Sequence, residues 1–396
     1  MSERSTQPSV DEPAAEQAPS IGTPTQGAPW TAALRSRRGR VVLGVALAVL
    51  VAALPLLLDS FWVQTGLFAM AAAISAIGLT LLVGRAGQLS LGHAFFGALG
   101  AYSYTIAAGE AGGRFFGLGL SPLLALVLAA LVPAVAGFLL GPISGRLKGI
   151  YLGLATIGLV FLAQHVLLNA EALTGGYNGR TVADLSLFGF HFANTSPDDL
   201  VVFGFVIDGL RRLWFVFALL LAVAWWAAHN IARGRTGRAF LMVRDDEMAA
   251  AAMGINVMWT KATAFTVSST FAGVGGALTA LAFGRVAPEV FNLQASIDFL
   301  IMIVIGGLGS IGGAVAGAAF VVALPLILAQ YSDVLPGLAS PGSDGYDAAT
   351  AAHLAYGAAI ILVLLFVRGG LAGGVSRLLR RSGSSPPDHA PTALHH

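Results

Sequence analysis

Apolar residues fall into long runs separated by short polar segments over most of the chain between residues 41 and 367. A helix needs about 20 predominantly apolar residues to cross the hydrocarbon core of a bilayer. The pattern therefore predicts about ten membrane-spanning helices. The predicted spans are Val41–Leu58, Phe61–Val83, Gly92–Ala108, Ser121–Ser144, Ile150–Ala170, Leu213–His229, Ala262–Phe283, 296–308, 312–330 and Ala351–Val367.

The eighth and ninth spans share one uncharged stretch, residues 299–332, which is long for one helix and short for two. The sequence GGLGSIGG, from Gly306 to Gly313, interrupts it, and glycine weakens helices. Two short helices joined by a glycine-rich break are therefore expected. A gate needs a hinge, so Gly306, Gly307 and Gly309 are candidate gate residues. The alternative is static packing against FAGVGGAL in the seventh span, Phe271–Leu278.

Composition supports a membrane protein. The chain is 56% apolar and only 11% charged, whereas soluble domains carry roughly 25% charged residues. Residues 1–34 are polar without an apolar period and are expected to be a disordered tail. Residues 35–367 then form one transmembrane domain, and 368–396 form a second tail. The absence of cysteine excludes disulfides and thiolate metal sites, and no metal site is predicted.

The positive charges predict the topology. Arg35–Arg40 precede the first span, and ten spans starting inside place both termini in the cytoplasm. All but five of the 22 Lys and Arg residues then lie inside, as the positive-inside rule requires. Residues 171–212 become an external segment, with a short helix expected near Asp198–Leu210. Residues 230–261 become a cytoplasmic segment.

Spans two to five and spans seven to ten form blocks of similar length that enter the membrane from opposite sides. This arrangement is typical of an inverted-topology repeat. The two blocks share no clear residue-level similarity, and their glycine breaks do not fall in matching positions.

The cytoplasmic segment from Asn230 to Lys261 is a polar island between two apolar spans. Its central residues, Arg238–Met253, predict either one helix or two short helices hinged near Arg244. Asp245 or Asp246 suits the start of the second helix, and Gly254 suits its end. The island is either a docking element for a partner or an amphipathic helix on the membrane surface.

Polar side chains between spans two and three, Gln88, Ser90 and His93, are candidate contacts of a translocation path, because polar groups at membrane depth normally face the protein interior or water. The alternative is a tight turn in which Gln88 and Ser90 satisfy helix ends. Within the spans, Thr156, Ser268 and Ser269 are candidate lining groups. Each alternatively bonds a helix carbonyl one turn back. The near absence of charge in the spans predicts a route without a dedicated charged site.

Four motifs closely resemble those of the LivM/LivH permeases of branched-chain amino-acid ABC importers, and they come in that family's order. The long external segment places the resemblance nearer to the LivM branch, over about residues 61–330. The motifs are GLTLLVGRAGQLSLGHAFFGALGAY (Gly78–Tyr102), LTGGYNGR (Leu173–Arg180), GRAFLMVRDDEMAAAAMGINV (Gly237–Val257) and the stretch from Ala264 through GGLGSIGGAVAGA (Gly306–Ala318).

The resemblance implies a multi-pass permease of a bacterial inner or plasma membrane that is not itself an enzyme. Its implied partners are two cytoplasmic ATPases, a second LivH-like permease, an external solute-binding protein and membrane lipid, with no nucleic acid. This chain has no GxxxxGK[ST] motif, so no cofactor is expected on it, and ATP and Mg are expected on the partner subunits.

The resemblance also assigns roles to two segments. TGGYNGR either docks the binding protein, through Tyr177, Asn178 and Arg180, or packs on the permease as a lid-like loop. The island becomes the segment that couples to the ATPases. Its candidate coupling residues are Arg238, Arg244, Asp245, Asp246, Glu247, Ala250 and Gly254.

Other functions stay open at this level. Related permeases serve urea and short amides. An ion-coupled secondary transporter also fits the inverted repeat, but such proteins usually bury a carboxylate. Asp298 is the only acid close to a span interior, and it is expected near an external end. A membrane enzyme is disfavoured because no nucleophile–base cluster occurs within the spans.

Overall fold

The computed structural model describes the greater part of the chain. The described residues are 51, 53–110, 115–147, 149–187, 190–191, 200–202, 205–331, 348–366 and 373. The predicted tail 1–34, the predicted tail 368–396 apart from residue 373, and most of the predicted first span lie outside them.

Helices account for most of the described elements, as the alanine- and leucine-rich runs favour. They are α1 (Ser60–Leu79), α2 (His93–Ala108), α3 (Pro122–Arg146), α4 (Ile150–Asn169), α5 (Glu171–Thr174), α6 (Gly209–Arg233), α7 (Arg235–Asp245), α8 (Glu247–Ala252), α9 (Val257–Phe283), α10 (Leu293–Gly306), α11 (Ile311–Gln330) and α12 (Ala348–Phe366). Helix α1 continues as a π-helical turn, Thr80–Arg85, and 3₁₀ turns form at Gly176–Asn178 and Pro288–Phe291.

Short strands lie in the loops. They are β1 (Arg180–Thr181), β2 (Ser186–Leu187), β3 (Phe190–His191), β4 (Leu200–Val202), β5 (Phe205–Ile207) and β6 (Arg285–Val286). Strand β1 pairs antiparallel with β6, β2 with β3, and β4 with β5. The helix expected near Asp198–Leu210 is therefore wrong: β4 and β5 form a hairpin, and α6 begins only at Gly209. The β-branched residues in LVV and FVI favour strand over helix.

Six helices in the described part of the chain are long and apolar enough to cross a membrane. The protein is thus a multi-pass helical membrane protein, but the predicted count of ten spans is not confirmed. The six are α1 with its π-helical turn, α3, α4, α6, α9 and α11. Helix α10 and residues 350–363 of α12 are apolar but shorter.

Helices α1 and α9 form the centre of the bundle. Of the 18 most apolar consecutive residues, 78% are buried in α1 and 67% in α9. In each of the other four long helices the buried share is 33% or less. The two helices run antiparallel, since Gly78 of α1 meets Ser268 and Phe271 of α9, while Ala71 and Ser75 meet Gly275. The less buried helices leave their apolar side chains facing outward, as lipid contact requires.

Small residues allow α9 to approach three neighbouring helices at once. A Cβ atom added at Gly273 would lie 2.4 Å from the carbonyl oxygen of Ala129 in α3. Added at Gly275 it would meet Ser75 of α1, and at Gly276 it would lie 2.0 Å from the carbonyl oxygen of Gly97 in α2. Close backbone contact gives these helices the van der Waals packing that replaces the hydrophobic effect in lipid.

Helices α2 and α10 begin inside the bundle rather than at its surface. The backbone N–H of Ala94, in the first turn of α2, donates to Ser296 Oγ in the first turn of α10, at 3.0 Å. From this junction α2 runs towards β1, where Gly109 contacts Arg180, and α10 runs towards Gly309. With 16 and 14 residues they are about 24 and 21 Å long, shorter than the ~30 Å core.

The bundle has two ends, named here by their elements. The α7–α8 end holds the π-helical turn, the start of α9 and the junction of α10 with α11. The β1–β6 end holds the starts of α1 and α6 and the end of α9. Helices α1 and α6 run in parallel between these ends, since Gly66 contacts Trp214 near one end and Arg85 donates to the carbonyl oxygen of Ala232 near the other.

Replacing Gly276 with alanine is expected to lower the free energy of unfolding by roughly 1–3 kcal/mol, because its methyl group would collide with the backbone of Gly97. Gly158 of α4 has nothing within 4 Å of an added Cβ atom. Gly158→Ala is therefore the matched control, expected to be neutral or stabilising by up to about 1 kcal/mol. Thermal unfolding of both variants in one detergent measures the difference; equal midpoints would contradict the packing described for α9.

Candidate functional site

The polar island folds as two short helices, α7 and α8, separated at Asp246. This matches the second of the two arrangements that the sequence allowed, although α7 begins at Arg235, three residues before the predicted Arg238. Asp246 Oδ1 accepts from the backbone N–H groups of Met248 at 2.8 Å and Ala249 at 3.1 Å. Gly254 follows α8 with φ +83°. The predicted start and stop of the second helix are therefore confirmed.

An ion pair fixes α8 to the base of α9. Lys261 Nζ lies 2.7 Å from Glu247 Oε1, and the Lys261 side chain is only 1% exposed. A lysine so deeply buried needs a partner carboxylate, because an isolated buried ammonium is costly. This contact therefore joins α8 directly to the start of α9.

Arg244 connects the island to the π-helical turn. Its guanidinium donates from Nη1 to the carbonyl oxygen of Gly84 at 2.9 Å, and from Nε and Nη2 to Asp245 at 3.0 and 2.8 Å. The arginine side chain also packs on Gly87, where an added Cβ atom would lie 2.6 Å from its Cγ. Gly87, which lies just after the π-helical turn, has φ +68°, a backbone conformation that favours glycine.

The π-helical turn in turn contacts the glycine-rich break. A Cβ atom added at Gly84 would lie 2.2 Å from the backbone nitrogen of Gly309. Gly307 and Gly309 have φ +111° and +80°, so α10 and α11 are two separate helices, as predicted. Ser310 Oγ caps α11 by accepting from the N–H of Gly313 at 3.0 Å. The island and the break thus meet through Arg244, Gly84 and Gly309.

The break packs closely on itself. A Cβ atom added at Gly306 would lie 2.0 Å from the carbonyl oxygen of Gly313, and one at Gly317 would lie 1.9 Å from that of Met302. The nearest neighbours of Gly306, Gly309 and Gly313 are in these helices and in the π-helical turn. The alternative of static packing against Phe271–Leu278 is therefore wrong about the partner helix. The α9 glycines in that segment pack against α1, α2 and α3 instead.

The polar residues between α1 and α2 are buried and bond the backbone. His93 Nε2 lies 2.9 Å from the carbonyl oxygen of Ser75, so this nitrogen is the donor. Ser90 Oγ accepts from the N–H of Gly92 at 3.4 Å, and Gln88 Nε2 donates to the carbonyl oxygen of Ala86 at 3.3 Å. Their predicted contact with a translocation path stays a prediction. The bonds of Gln88 and Ser90 fit the alternative of a tight turn, whereas Gln88 Oε1 and His93 Nδ1 are buried without a hydrogen-bond partner among the described residues.

Of the candidate lining groups within the helices, Thr156 and Ser269 also bond the backbone, and Ser268 does not in the described part of the chain. Thr156 Oγ1 accepts from the N–H of Leu91 at 2.9 Å and donates to the carbonyl oxygen of Gly153 at 2.8 Å, tying α4 to the loop before α2. Ser269 donates to the carbonyl oxygen of Phe265 one turn back. Ser268 Oγ is buried without a hydrogen-bond partner among the described residues. Both serines lie where α9 packs on α1 and α3.

At the β1–β6 end, the TGGYNGR loop is held down by its arginine. The Arg180 side chain donates to the carbonyl oxygens of Phe116 at 2.9 Å and Leu173 at 2.8 Å. The residue is only 5% exposed, and burial lowers the pKa of its guanidinium from the ordinary value. For Arg180 the bonds fit the expected loop packed on the permease itself. Tyr177, by contrast, is 73% exposed beside a cavity of about 620 Å³ that Asn178 also lines.

Comparison with known proteins identifies the family. The family described as "Branched-chain amino acid transport system / permease component" matches residues 61–368. The chain belongs to this family.

Individual relatives agree with this membership. The permease protein LivM of the high-affinity branched-chain amino acid transport system of Escherichia coli K12 is 36% identical over 275 residues, 67% of this chain and 63% of LivM. The permease protein BraD of Pseudomonas aeruginosa is 28% identical over 76% of this chain and 91% of BraD. The match thus spans less than two thirds of the length of LivM. No solved structure matches this chain.

Sequence reasoning did not identify two residues that join helices of the bundle, Lys261 and Ser296. Lys261 was counted only as part of the island, although a lone lysine at the start of an apolar span indicates a need for a partner. Ser296 gave no such signal, because its partner Ala94 lies 202 residues away in the chain.

Replacing Glu247 with alanine is expected to lower the free energy of unfolding by on the order of 2 kcal/mol, because it removes the charged partner of Lys261. The loss stays below that of a fully buried pair because the Glu247 side chain is 28% exposed. The double variant Glu247→Ala with Lys261→Met is expected to recover part of the loss. Thermal unfolding is the measurement, with Asp245→Ala as the control on the same segment. A double variant less stable than Glu247→Ala would contradict the pairing.

Proposed function

We propose that this chain is the permease subunit of an ABC importer that moves branched-chain or related amino acids into the cytoplasm. ATP and Mg are bound, and ATP is hydrolysed, by two separate ATPase subunits. A second, LivH-like permease and an external solute-binding protein complete the complex. The relatives LivM and BraD belong to branched-chain amino acid transport systems, which supports this solute class over urea and short amides.

The observation that carries the proposal is the contact from Arg244 through Gly84 to Gly309. It joins a surface segment to a glycine-rich break between two helices without any intervening flexible loop. A subunit that receives its energy from elsewhere needs such a connection, whereas a self-sufficient secondary transporter does not. Movement of α7 and α8 on ATPase closure would shift the π-helical turn and, with it, the break.

The docking surface for the ATPase lies on and beside α8. Four large apolar residues are exposed there: Met248, Met253, Met258 and Trp259. The Met248 side chain is 80% exposed although the backbone N–H of Met248 is bonded to Asp246. Exposed apolar clusters mark interaction sites, and flexible methionines suit a groove of varied shape. Among the candidate coupling residues, Gly254 is exposed at the end of α8 beside this surface, Arg238 is exposed on α7, and Ala250 is buried at 1% exposure.

The α7–α8 end faces the cytoplasm of a bacterial inner or plasma membrane in this proposal. Arg233, Arg235, Arg238 and Arg244 gather at that end, in keeping with the positive-inside rule. Both termini are then cytoplasmic if the first predicted span crosses the membrane. The exposed Tyr177 and the neighbouring Asn178 would contact the binding protein at the opposite end.

The inverted repeat is retained as part of the proposal. Helices α1 and α9 run antiparallel, α2 and α10 leave one junction in opposite directions, and α3 and α11 follow them. The turns also correspond: Gly87 follows α1 and Gly284 follows α9, with φ +68° and +66°. These two glycines therefore share a backbone conformation after corresponding helices. Short interrupted helices meeting at the midplane are typical of such repeats.

Co-purification tests the complex. Expressed with the products of its neighbouring genes, the chain is expected to purify with ATPases and a second permease. The reconstituted complex with its binding protein is then expected to import radiolabelled leucine only when ATP is supplied. Leucine uptake by this chain alone, driven by an ion gradient, would refute the proposal.

Replacing Gly84 with alanine tests the transmission of movement. The added methyl group would collide with the backbone of Gly309, so leucine uptake is expected to fall by roughly tenfold or more, equivalent to about 1.4 kcal/mol or more. Association with the ATPases is expected to persist, because α8 is not altered. Gly158→Ala is the control for helix substitution. Normal uptake by the Gly84 variant would remove this contact from the mechanism.

A further inference from the structure

A polar cluster lies within the otherwise apolar helices α10 and α12. Gln294 Nε2 lies 3.1 Å from Asp298 Oδ1 and 2.9 Å from His353 Nε2. His353 Nε2 is 3.7 Å from the same carboxylate oxygen. Ionisable groups at membrane depth are costly and usually serve a function. Neither the island nor the glycine-rich break accounts for this cluster.

Asp298 also lines a cavity of about 380 Å³ among α1, α9, α10 and α11. Its volume falls within the usual range for small-molecule sites. The walls are mostly apolar and include Phe68, Phe283, Phe299, Met302, Val322 and Leu326. Among the described residues that line it, Asp298 is the only charged one.

The remaining polar side chains in the wall are those of Ser75 and Thr279. The hydroxyl of Thr279 already donates to the carbonyl oxygen of Gly275 at 2.9 Å. A ligand with a cationic group and an apolar body would therefore find one strong anchor, at Asp298, and an apolar surface around it. Charge-assisted hydrogen bonds to a carboxylate are about twice as strong as neutral ones.

We propose that this cavity holds the transported amino acid, with Asp298 binding its α-ammonium group and the apolar walls receiving its branched side chain. The inference rests on the function proposed above and names the solute site for it. Asp298 is suited to this role because its side chain keeps 29% exposure while bonded to Gln294. The assignment departs from the expectation of a route without a charged site.

The start of α10 suits the other end of the ligand. Ala295, in the first turn of α10, lines the same cavity. The N-terminal end of a 14-residue helix carries partial positive charge and favours anionic groups. The N–H of Ala295 itself donates to Asn292 Oδ1 at 2.8 Å, so the helix start contributes through its dipole and not through a hydrogen bond from Ala295.

Cysteine protection tests the site in the intact complex. The chain has no native cysteine, so Thr279→Cys introduces a unique label into the cavity wall of this subunit. The rate of its modification by N-ethylmaleimide is measured by mass spectrometry with leucine, isoamylamine or 4-methylpentanoate. Leucine is expected to slow the reaction, isoamylamine to slow it less, and 4-methylpentanoate, which lacks the ammonium group, to leave it unchanged.

The companion variant is Asp298→Asn, which removes the charge but keeps an oxygen for Gln294. It is expected to raise the leucine concentration for half-protection by roughly 10- to 100-fold. Asp208→Asn, an acid at the start of α6, is the matched control and is expected to leave protection unchanged. Equal protection in the Asp298 variant, protection by 4-methylpentanoate as strong as by leucine, or no protection by leucine would each overturn the proposal.

Measurements of leucine uptake distinguish a failure of this site assignment from a failure of the proposed function. If the unsubstituted complex imports no amino acid with ATP, the proposed function fails. If it imports leucine and the Asp298→Asn complex imports it equally well, the function stands and the assigned site is wrong. A cysteine at residue 279 that reacts only when the second permease is omitted would identify the cavity as a subunit interface and also overturn the proposal.

Discussion

The architecture depends on satisfying backbone N–H groups at two helix starts that lie inside the bundle. In lipid no water is available to these groups, so each must find a partner within the protein. Ser296 supplies one for Ala94, and Thr156 supplies one for Leu91. Asn292 Oδ1 supplies another by accepting from the N–H of Ala295 at 2.8 Å. Three interior polar side chains, those of Ser296, Thr156 and Asn292, thus serve the backbone at or beside the starts of α2 and α10.

Because these polar side chains are bonded to the backbone, few polar side chains remain to contact a solute. Serine, threonine and histidine side chains that suggest a translocation path in the sequence are largely bonded to backbone groups in the fold. Asp298 differs, because it keeps exposure at the wall of a cavity and shares its bonds with Gln294 and His353. Its position on a helix that starts inside the bundle gives a carboxylate access to an apolar cavity.

Glycine serves two opposite purposes in this molecule. In α9 it allows backbones to pack so closely that Gly273, Gly275 and Gly276 tolerate little relative movement. Between α10 and α11 it instead permits backbone angles that separate two helices, at Gly307 and Gly309. The rigid centre and the interrupted helix pair meet at the π-helical turn, which Arg244 also contacts.

The sequence by itself determined the membrane class, most spans to within a few residues, the two-helix island with its Asp246 cap and Gly254 stop, and the separation of α10 from α11. These features follow from local rules of hydropathy, capping and glycine conformation. Only the tertiary structure decided that α2 and α10 start inside the bundle, that Arg180 is buried, and that Lys261 pairs with Glu247. The antiparallel pairing of β4 with β5, where a helix was expected, was likewise decided only by the tertiary structure. The reason is physical: bonds such as Ala94 to Ser296 join residues 202 positions apart, and no local pattern encodes which distant group will satisfy a buried donor.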